Sequence, residues 1–350
     1  MSFDQLSTMM KERHSMRYVI LLCAALCLSA SSSAAEITDG QIRAAIEQAI
    51  PWLEKASAGS SKENKCFTCH NHALPVLALS EAKRRGFSVD EDILSSQLKH
   101  IHAHLKRGEQ RYLDGKGQGG QVLTAGYALW ALQVGGLAHD ATTDAVANYL
   151  LKRQNDKDHW SQKGTRPPSD GNEFTTTYVA LRGLHGFTPE AQDESKQTRF
   201  SAAAKWLSTT QPADTEDAVF RLKSLRIVEA GETDATSAVE ELLKQQKPDG
   251  GWAQTTKMEC DVYATSSVLA SLLKAGRLNP EHPAIRNGVR FLLDRQLDDG
   301  TWHVVTRADG FQPYYETGFP HDEDQFISVA ASSWATIALL RSLPPVKPTP

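Results

Sequence analysis

The chain predicts an all-α protein, an α/α toroid of six helical hairpins (an α6/α6 barrel), and three observations predict it. The first is a repeat: QNDKDHW at 154–160, QKPDGGW at 246–252 and QLDDGTW at 296–302 share one glutamine-to-tryptophan spacing. Self-similarity at fixed spacing is the mark of stacked supersecondary units. The second is the segment before each repeat, such as 238–243 (AVEELL) or 289–294 (VRFLLD), where apolar and charged residues alternate at helical period. Such helices are half exposed and belong outside. The third is the segment after the repeat: 262–273 and 327–340 contain no charged residue and are rich in Ala, Ser, Thr, Leu and Val. A helix apolar or small on all sides is buried on all sides, so these belong inside.

In chain order the first segment is a leader. Arg17, an apolar run from Val19 to Leu28 and the small residues Ser33-Ala34-Ala35 read as a signal peptide over 1–35, with Met16 as an alternative start. The run is too short to span a bilayer, and the residues before Cys27 make a poor lipobox. A periplasmic or secreted protein is expected. Outer helices are predicted over 39–56, 92–107, 141–154, 197–208, 235–246 and 283–296. Inner helices are predicted over 74–85, 122–136, 174–186, 216–229, 261–275 and 326–342. Pro75 suits the first turn of the first inner helix and leaves the cysteines before it on a loop. His100 and His104 share a face of the second outer helix between Lys99 and Lys106, which reads as a solvated face. The glycine-rich 114–120 lacks the ending of a phosphate loop and reads as a connection. No terminal hairpin looks like a polar cap, so the repeats should close into a ring and not stack as an open solenoid. The toroid domain is expected over 36–343, and the proline-rich 344–350 as a disordered tail.

Composition excludes several partners. The chain has 38 Lys and Arg against 42 Asp and Glu, a net charge of −4. Loss of 1–35 removes Lys11, Arg13, Arg17, Asp4 and Glu12, three basic and two acidic residues, which makes the balance more negative by one. Neither a nucleic-acid footprint nor a polybasic lipid patch is present, and no transmembrane segment is expected. Of five cysteines, Cys23 and Cys27 leave with the leader, so Cys66, Cys69 and Cys260 remain and cannot all pair within one chain.

The QxxxxGW-type repeats resemble those of squalene-hopene cyclases and protein prenyltransferase β subunits, over most of 39–343 and most strongly from Leu242. The resemblance implies a barrel whose cavity opens where the inner helices begin, with Gln154, Trp160, Gln246, Trp252, Gln296 and Trp302 structural. The cyclases' Asp-x-Asp-Asp-Thr-Ala motif has its nearest match in Asp322-Glu323-Asp324-Gln325, followed by Phe326-Ile327. Asp322 and Asp324 are thus the candidate catalytic acids of a terpene cyclase or lyase reading, although the third acid is replaced and the chain suffices for one toroid. The zinc of prenyltransferases suggests Cys260, Asp261 and His321 as an alternative zinc set, in an order that departs from the family's. Most similar is a group of exported bacterial proteins that pair Cys-x-x-Cys-His-x-x-x-Leu-Pro, here Cys66 to Pro75, with Gly-Phe-Pro-His-x-x-Asp-Gln, here Gly318 to Gln325.

Cys66-Phe67-Thr68-Cys69-His70 makes the most concrete chemical claim. Cys-x-x-Cys-His after an export signal is the attachment pattern of a c-type haem, two thioethers plus an axial histidine. Covalent haem c on Cys66 and Cys69, with His70 on the iron, is the leading expectation. The alternatives are a Cys66–Cys69 disulfide and a metal site formed with His70 and His72. Met258 and His321 are candidate sixth haem ligands from later repeats, and a redox partner would follow. Tyr127, Tyr178, Tyr263, Tyr315, Glu259 and Asp261 gather near inner-helix starts and are expected at a cavity mouth suited to a small-molecule, lipid-like or glycan ligand. Packing of the tyrosines and capping of helices by the acids account equally well for that placement.

Overall fold

The charge-free segments form the inner ring. The computed structural model describes residues 36–153, 158–162, 164, 166–170, 172–309 and 314–345, so the leader, Gln154 and the last five residues lie outside the described residues. The compact body begins at Asp39. Its outer helices are α1 (Asp39–Glu63), α3 (Glu91–Arg107), α6 (Ala141–Arg153), α8 (Asp193–Thr209), α10 (Glu232–Lys244) and α12 (Pro283–Asp294). Its inner helices are α2 (Leu74–Arg84), α5 (Gln121–Val134), α7 (Glu173–Phe187), α9 (Thr215–Ile227), α11 (Val262–Ala275) and α13 (Gln325–Ser342), and a short α4 (Glu109–Leu113) precedes α5. Each inner helix packs on the next, and α13 packs on α2 and α1. The ring is therefore closed and the solenoid alternative is excluded. No helix of the described residues is long and apolar enough to cross a membrane.

Local chemistry sets where the helices begin. Asp90, Asn172, Asp214 and Asp261 each accept a hydrogen bond from the amide three residues on, at the starts of α3, α7, α9 and α11. The many hydroxyls of the inner ring bond to carbonyls of their own helix: Ser271 to Ser267, Ser333 to Val329 and Thr336 to Ser332, all at 2.8 Å. A buried hydroxyl satisfied in this way avoids the cost of an orphaned polar group.

The repeats tie hairpins together as the sequence implies. Trp160, Trp252 and Trp302 are buried, and each indole Nε1 donates to the carbonyl ten residues earlier, on Leu150, Leu242 and Leu292, at 2.7 to 2.9 Å. Gln246 Nε2 donates to Gly250 and to Ala284 on α12, both at 2.8 Å. Gln296 Nε2 donates to Gly300 and to Ala45 on α1, both at 2.9 Å. This last bond joins the sixth outer helix to the first. Gly300 has φ of +88°, and a Cβ there would lie 2.7 Å from Gln48 Cβ, so both backbone hand and space require glycine.

Two boundaries differ from expectation. Helix α1 runs two turns past residue 56, because Ser57 and Ser60 are buried and Gly59 packs directly on the Thr317 backbone. A π-turn, Cys69–Ala73, precedes α2, so Cys69 and His70 sit in a helical turn instead of a loop, with only Cys66 ahead of it.

Substituting Gln296→Ala strips donors from Ala45 and Gly300 and is expected to destabilise by about 1–3 kcal/mol. Gln246→Ala should cost a similar amount, read from urea denaturation midpoints at constant slope.

Candidate functional site

The Cys66–His70 turn is held by its neighbours. Thr68 caps the π-turn, its Oγ1 accepting from the Asn71 amide at 3.3 Å. His72 is fully buried, and its Nδ1 accepts from the Thr68 amide at 3.0 Å. His104 Nδ1 accepts from the Phe67 amide at 3.3 Å, and His100 stacks on His72 with centroids 4.6 Å apart. The face of α3 read as solvated therefore packs inward, as a buttress under the motif. Burial pushes the His104 imidazole down to about 4, with Arg107 adding to the effect. Neutral rings are what such packing requires.

Cys66 is exposed, Cys69 half-buried, and both are free thiols. The Cys69 Sγ lies 3.8 Å from His70 Nδ1. Burial raises the Cys69 thiol to about 11 and lowers the His70 imidazole to about 3, the latter helped by Arg166. The motif thus presents a protonated thiol and an uncharged imidazole.

His70 forms part of the wall of a 440 Å³ cavity at the inner-helix N-termini. Facing it are Tyr314, Tyr315, Phe326, Ile327 and Ala330, while Arg166, Ser169 and Glu323 supply polar groups. The His70 ring sits 5.2 Å from the Phe326 ring. Gln325, fully buried, organises this rim: its Oε1 accepts from the Thr317 amide at 2.9 Å and hydroxyl at 2.6 Å, and its Nε2 donates to Tyr314 Oη at 2.7 Å. Tyr315 Oη meets Ser60 Oγ of α1 at 3.2 Å. The position where a third acid would complete the cyclase motif is thus a structural amide.

Deeper in the ring lies Glu216, in the first turn of α9 and only 3% exposed. Tyr263 Oη donates to its Oε1 at 3.0 Å. Burial raises this carboxyl to about 8, although the Tyr263 bond and Lys223 pull it down. Asp217 beside it is raised to about 6 by burial, against a lowering bond from the Ala213 amide. Glu216 is therefore mostly a neutral acid at pH 7.

Comparison with known proteins matches this architecture. Residues 213–343 match the squalene-hopene cyclase C-terminal domain. A terpene cyclase/mutase of a Nectria species is 31% identical over 116 residues, 33% of this chain and 15% of that protein. The lanosterol synthase of Saccharomyces cerevisiae is 30% identical over 103 residues, 29% of this chain and 13% of its own length. The type II terpene cyclase of Scytonema aligns over 87% of this chain and 98% of its own, with TM-score 0.56 at 15% identity. This chain has the α/α toroid fold of these structures, and its residues 213–343 are similar to the squalene-hopene cyclase C-terminal domain. A glycosidase solved with glucose shares the fold, with TM-score 0.56 at 11% identity over 85% of this chain and 98% of that one. The matched sequence spans a small fraction of the full-length terpene cyclases.

Within the toroid the expected site residues part company. Tyr127 and Tyr263 are buried in the ring, as packing residues are, with Tyr263 on Glu216. Tyr178 packs edge-on against Trp130 at 5.1 Å and lines the opposite mouth. Glu259 is exposed, Asp261 caps α11, and Tyr315 alone of the expected set lines the His70 cavity. Asp324 accepts from His303 Nε2 and the Thr306 amide, both at 2.7 Å, so it braces a connection. Neither it nor Asp322 lines the cavity, whereas Glu323 between them does. Met258 and His321 do not line it either; His321 bonds Thr301 at 3.0 Å and stacks on His303 at 4.7 Å. The residues of the alternative zinc set, Cys260, Asp261 and His321, each have other contacts. Asp261 Oδ1 caps α11, burial and Asp249 raise the Cys260 thiol to about 12, and His321 bonds Thr301. Among the described residues no group of three or more His, Cys, Asp and Glu is placed to hold a metal.

Glu216 was missed, although a signal existed. Residues 215–227, TEDAVFRLKSLRI, carry five charged residues from the first turn onward, whereas α11 and α13 carry one each, near their C-termini.

A carboxyl raised from 4.5 to about 8 on folding stabilises fully below the unfolded value and loses that contribution as pH rises through the folded one. Glu216→Gln should flatten this loss. Between about pH 5 and 9 the stability of the variant relative to the native chain should rise by a few kcal/mol, on the order of 2–4, in urea titrations.

Proposed function

We propose that this toroid carries one c-type haem, bound covalently through Cys66 and Cys69 with His70 as axial ligand, and acts in redox or small-ligand chemistry after export. The observation that carries the reading is the placement of His70: the histidine of the motif stands in a cavity wall, directly after two free thiols. The donor chemistry fits the group. Thioether formation adds a thiol across each vinyl group, and an imidazole must be neutral to ligate iron. The burial that holds His70 uncharged removes proton competition for the metal. The bound haem would supply one-electron chemistry or an iron site for a small ligand.

The chain's own residues have definable tasks in this reading. His104 and Thr68 fix the backbone of the motif, and His72 fixes Thr68, so the turn is preorganised before any attachment. Phe326 sets the His70 ring, while Tyr314 and Tyr315 close the cavity opposite. With Met258 and His321 off the wall, a small exogenous ligand is favoured over a second protein ligand.

A second reading is favoured by a different observation. The Scytonema cyclase has been solved with geranylgeranyl dihydroxybenzoate, and here Glu216 is a buried neutral acid in the same fold. An isoprenoid-like ligand with Glu216 as proton donor is the corresponding proposal, with Glu216 replacing Asp322 and Asp324 in that role.

Expression of the full chain in a host with c-type haem maturation decides the first reading. A pyridine haemochrome spectrum of about one covalent haem per chain is expected, reduced in Cys66→Ala and abolished when Cys69→Ala is added. Absence of covalent haem in the native chain under those conditions refutes it. Uptake of deuterium from heavy water into geranylgeraniol, lost in Glu216→Gln, would instead support the second.

A further inference from the structure

The opposite mouth of the toroid has the reverse chemistry. All six inner helices send residues from their C-terminal halves into a second cavity of about 300 Å³. Its walls carry Arg84, Arg182, Arg226, Lys274 and Arg341 at the rim and Lys223 within, in a chain whose net charge is −4. One carboxylate, Glu81, lines the cavity with them, and it is already engaged by Arg341 through two bonds at 2.9 and 2.8 Å.

Lys223 decides what this cluster is for. It is 8% exposed, and its Nζ is buried without a hydrogen-bond partner among the described residues. Aromatic rings surround the amine: Trp334 at 3.6 Å from ring centroid, Phe220 at 4.4 Å and Tyr178 at 5.5 Å. Ring faces attract a cation, yet they offer no acceptor for its three N–H groups. Helix dipoles draw cations to helix C-termini and account for exposed Arg226 and Lys274. They do not account for a buried amine whose donors point at no carbonyl. Burial and Arg341 depress the Lys223 amine well below its usual value, and Lys274 and Arg226 are lowered by burial and the same arginine. The cations here repel one another, and Glu81 and Glu216 only partly offset the effect of Arg341 on Lys223 and Lys274.

We propose that this mouth is a binding site for a phosphate- or diphosphate-type oxyanion, seated between the rim arginines and Lys223. Guanidinium groups match such oxygens in pairs, and the unpartnered Lys223 amine supplies donors beneath them, its protonation favoured by the arriving anion. The anion is either free in solution or the head group of an amphiphile. The site is independent of the His70 cavity and needs no haem.

The test titrates the purified full chain by calorimetry with inorganic pyrophosphate, with sodium chloride at matched ionic strength as blank. A parallel arm uses flotation with phosphatidylcholine vesicles, with and without phosphatidic acid. Saturable one-to-one binding of pyrophosphate, or capture only by phosphatidic acid vesicles, is expected, and which arm responds identifies the source. Arg226→Gln with Lys274→Gln, both exposed, should weaken the response by about tenfold or more, and Lys223→Met should do so separately. If Lys223→Met fails to fold, the surface pair still decides. No saturable response in either arm, or equal affinity in the surface pair, overturns the site.

Discussion

A side-chain amide stands at the seam where the ring closes. Gln296 donates to Gly300 in its own connection and to Ala45 in the first outer helix, which spans nearly the whole chain with one hydrogen-bonding group. Gln246 does the same one hairpin earlier, toward Ala284. A local turn and a neighbour's helix thus share one donor group, and loss of it leaves the turn carbonyl without its donor. Trp52, whose Nε1 donates to Asp299 at 2.7 Å, seals the same seam. Ring closure has a further consequence. Inner helices held parallel by their connections must present all N-termini at one mouth and all C-termini at the other.

The two mouths therefore start with opposite partial charges and are finished with different side chains. At the N-terminal mouth the wall is aromatic and mixed, with the neutral His70 ring and the buried Gln325 network. At the C-terminal mouth it is strongly cationic over an aromatic floor. Glu216 and Lys223, seven residues apart on α9, are both buried in the ring, and each lowers the cost of charging the other. Helix α9 is thus the inner helix that carries polarity into the ring, while α11 and α13 supply packing with hydroxyls satisfied internally.

Against the terpene cyclases of the same architecture, this toroid keeps the scaffold and changes the equipment. The tryptophans and glutamines of its repeats hold its seams, but Gln325, which follows the acids Asp322 to Asp324, is consumed by Thr317 and Tyr314. Asp324 is likewise consumed by His303 and the Thr306 amide. A motif read by residue type misassigns such groups, because a carboxylate donates chemistry only if its lone pairs are not already pledged to structure.

By itself, the sequence determined the toroid. Helical period, the charge difference between 238–243 and 262–273, and the repeated Gln-to-Trp spacing are local quantities, and helix positions followed to within a turn or two. The extension of α1 was not legible, since it depends on Gly59 meeting Thr317 from the other end of the chain. The sequence also fixed Cys66, Cys69 and His70 as the distinctive chemical motif, because their relation lies within five residues. Only the tertiary structure decided that His70 faces a cavity, that His100 and His104 turn inward, and that Tyr178 belongs to the other mouth. Only it revealed Glu216 and Lys223 as buried charges. Burial is a property of everything packed around a residue, and in a closed ring most of those neighbours come from distant repeats.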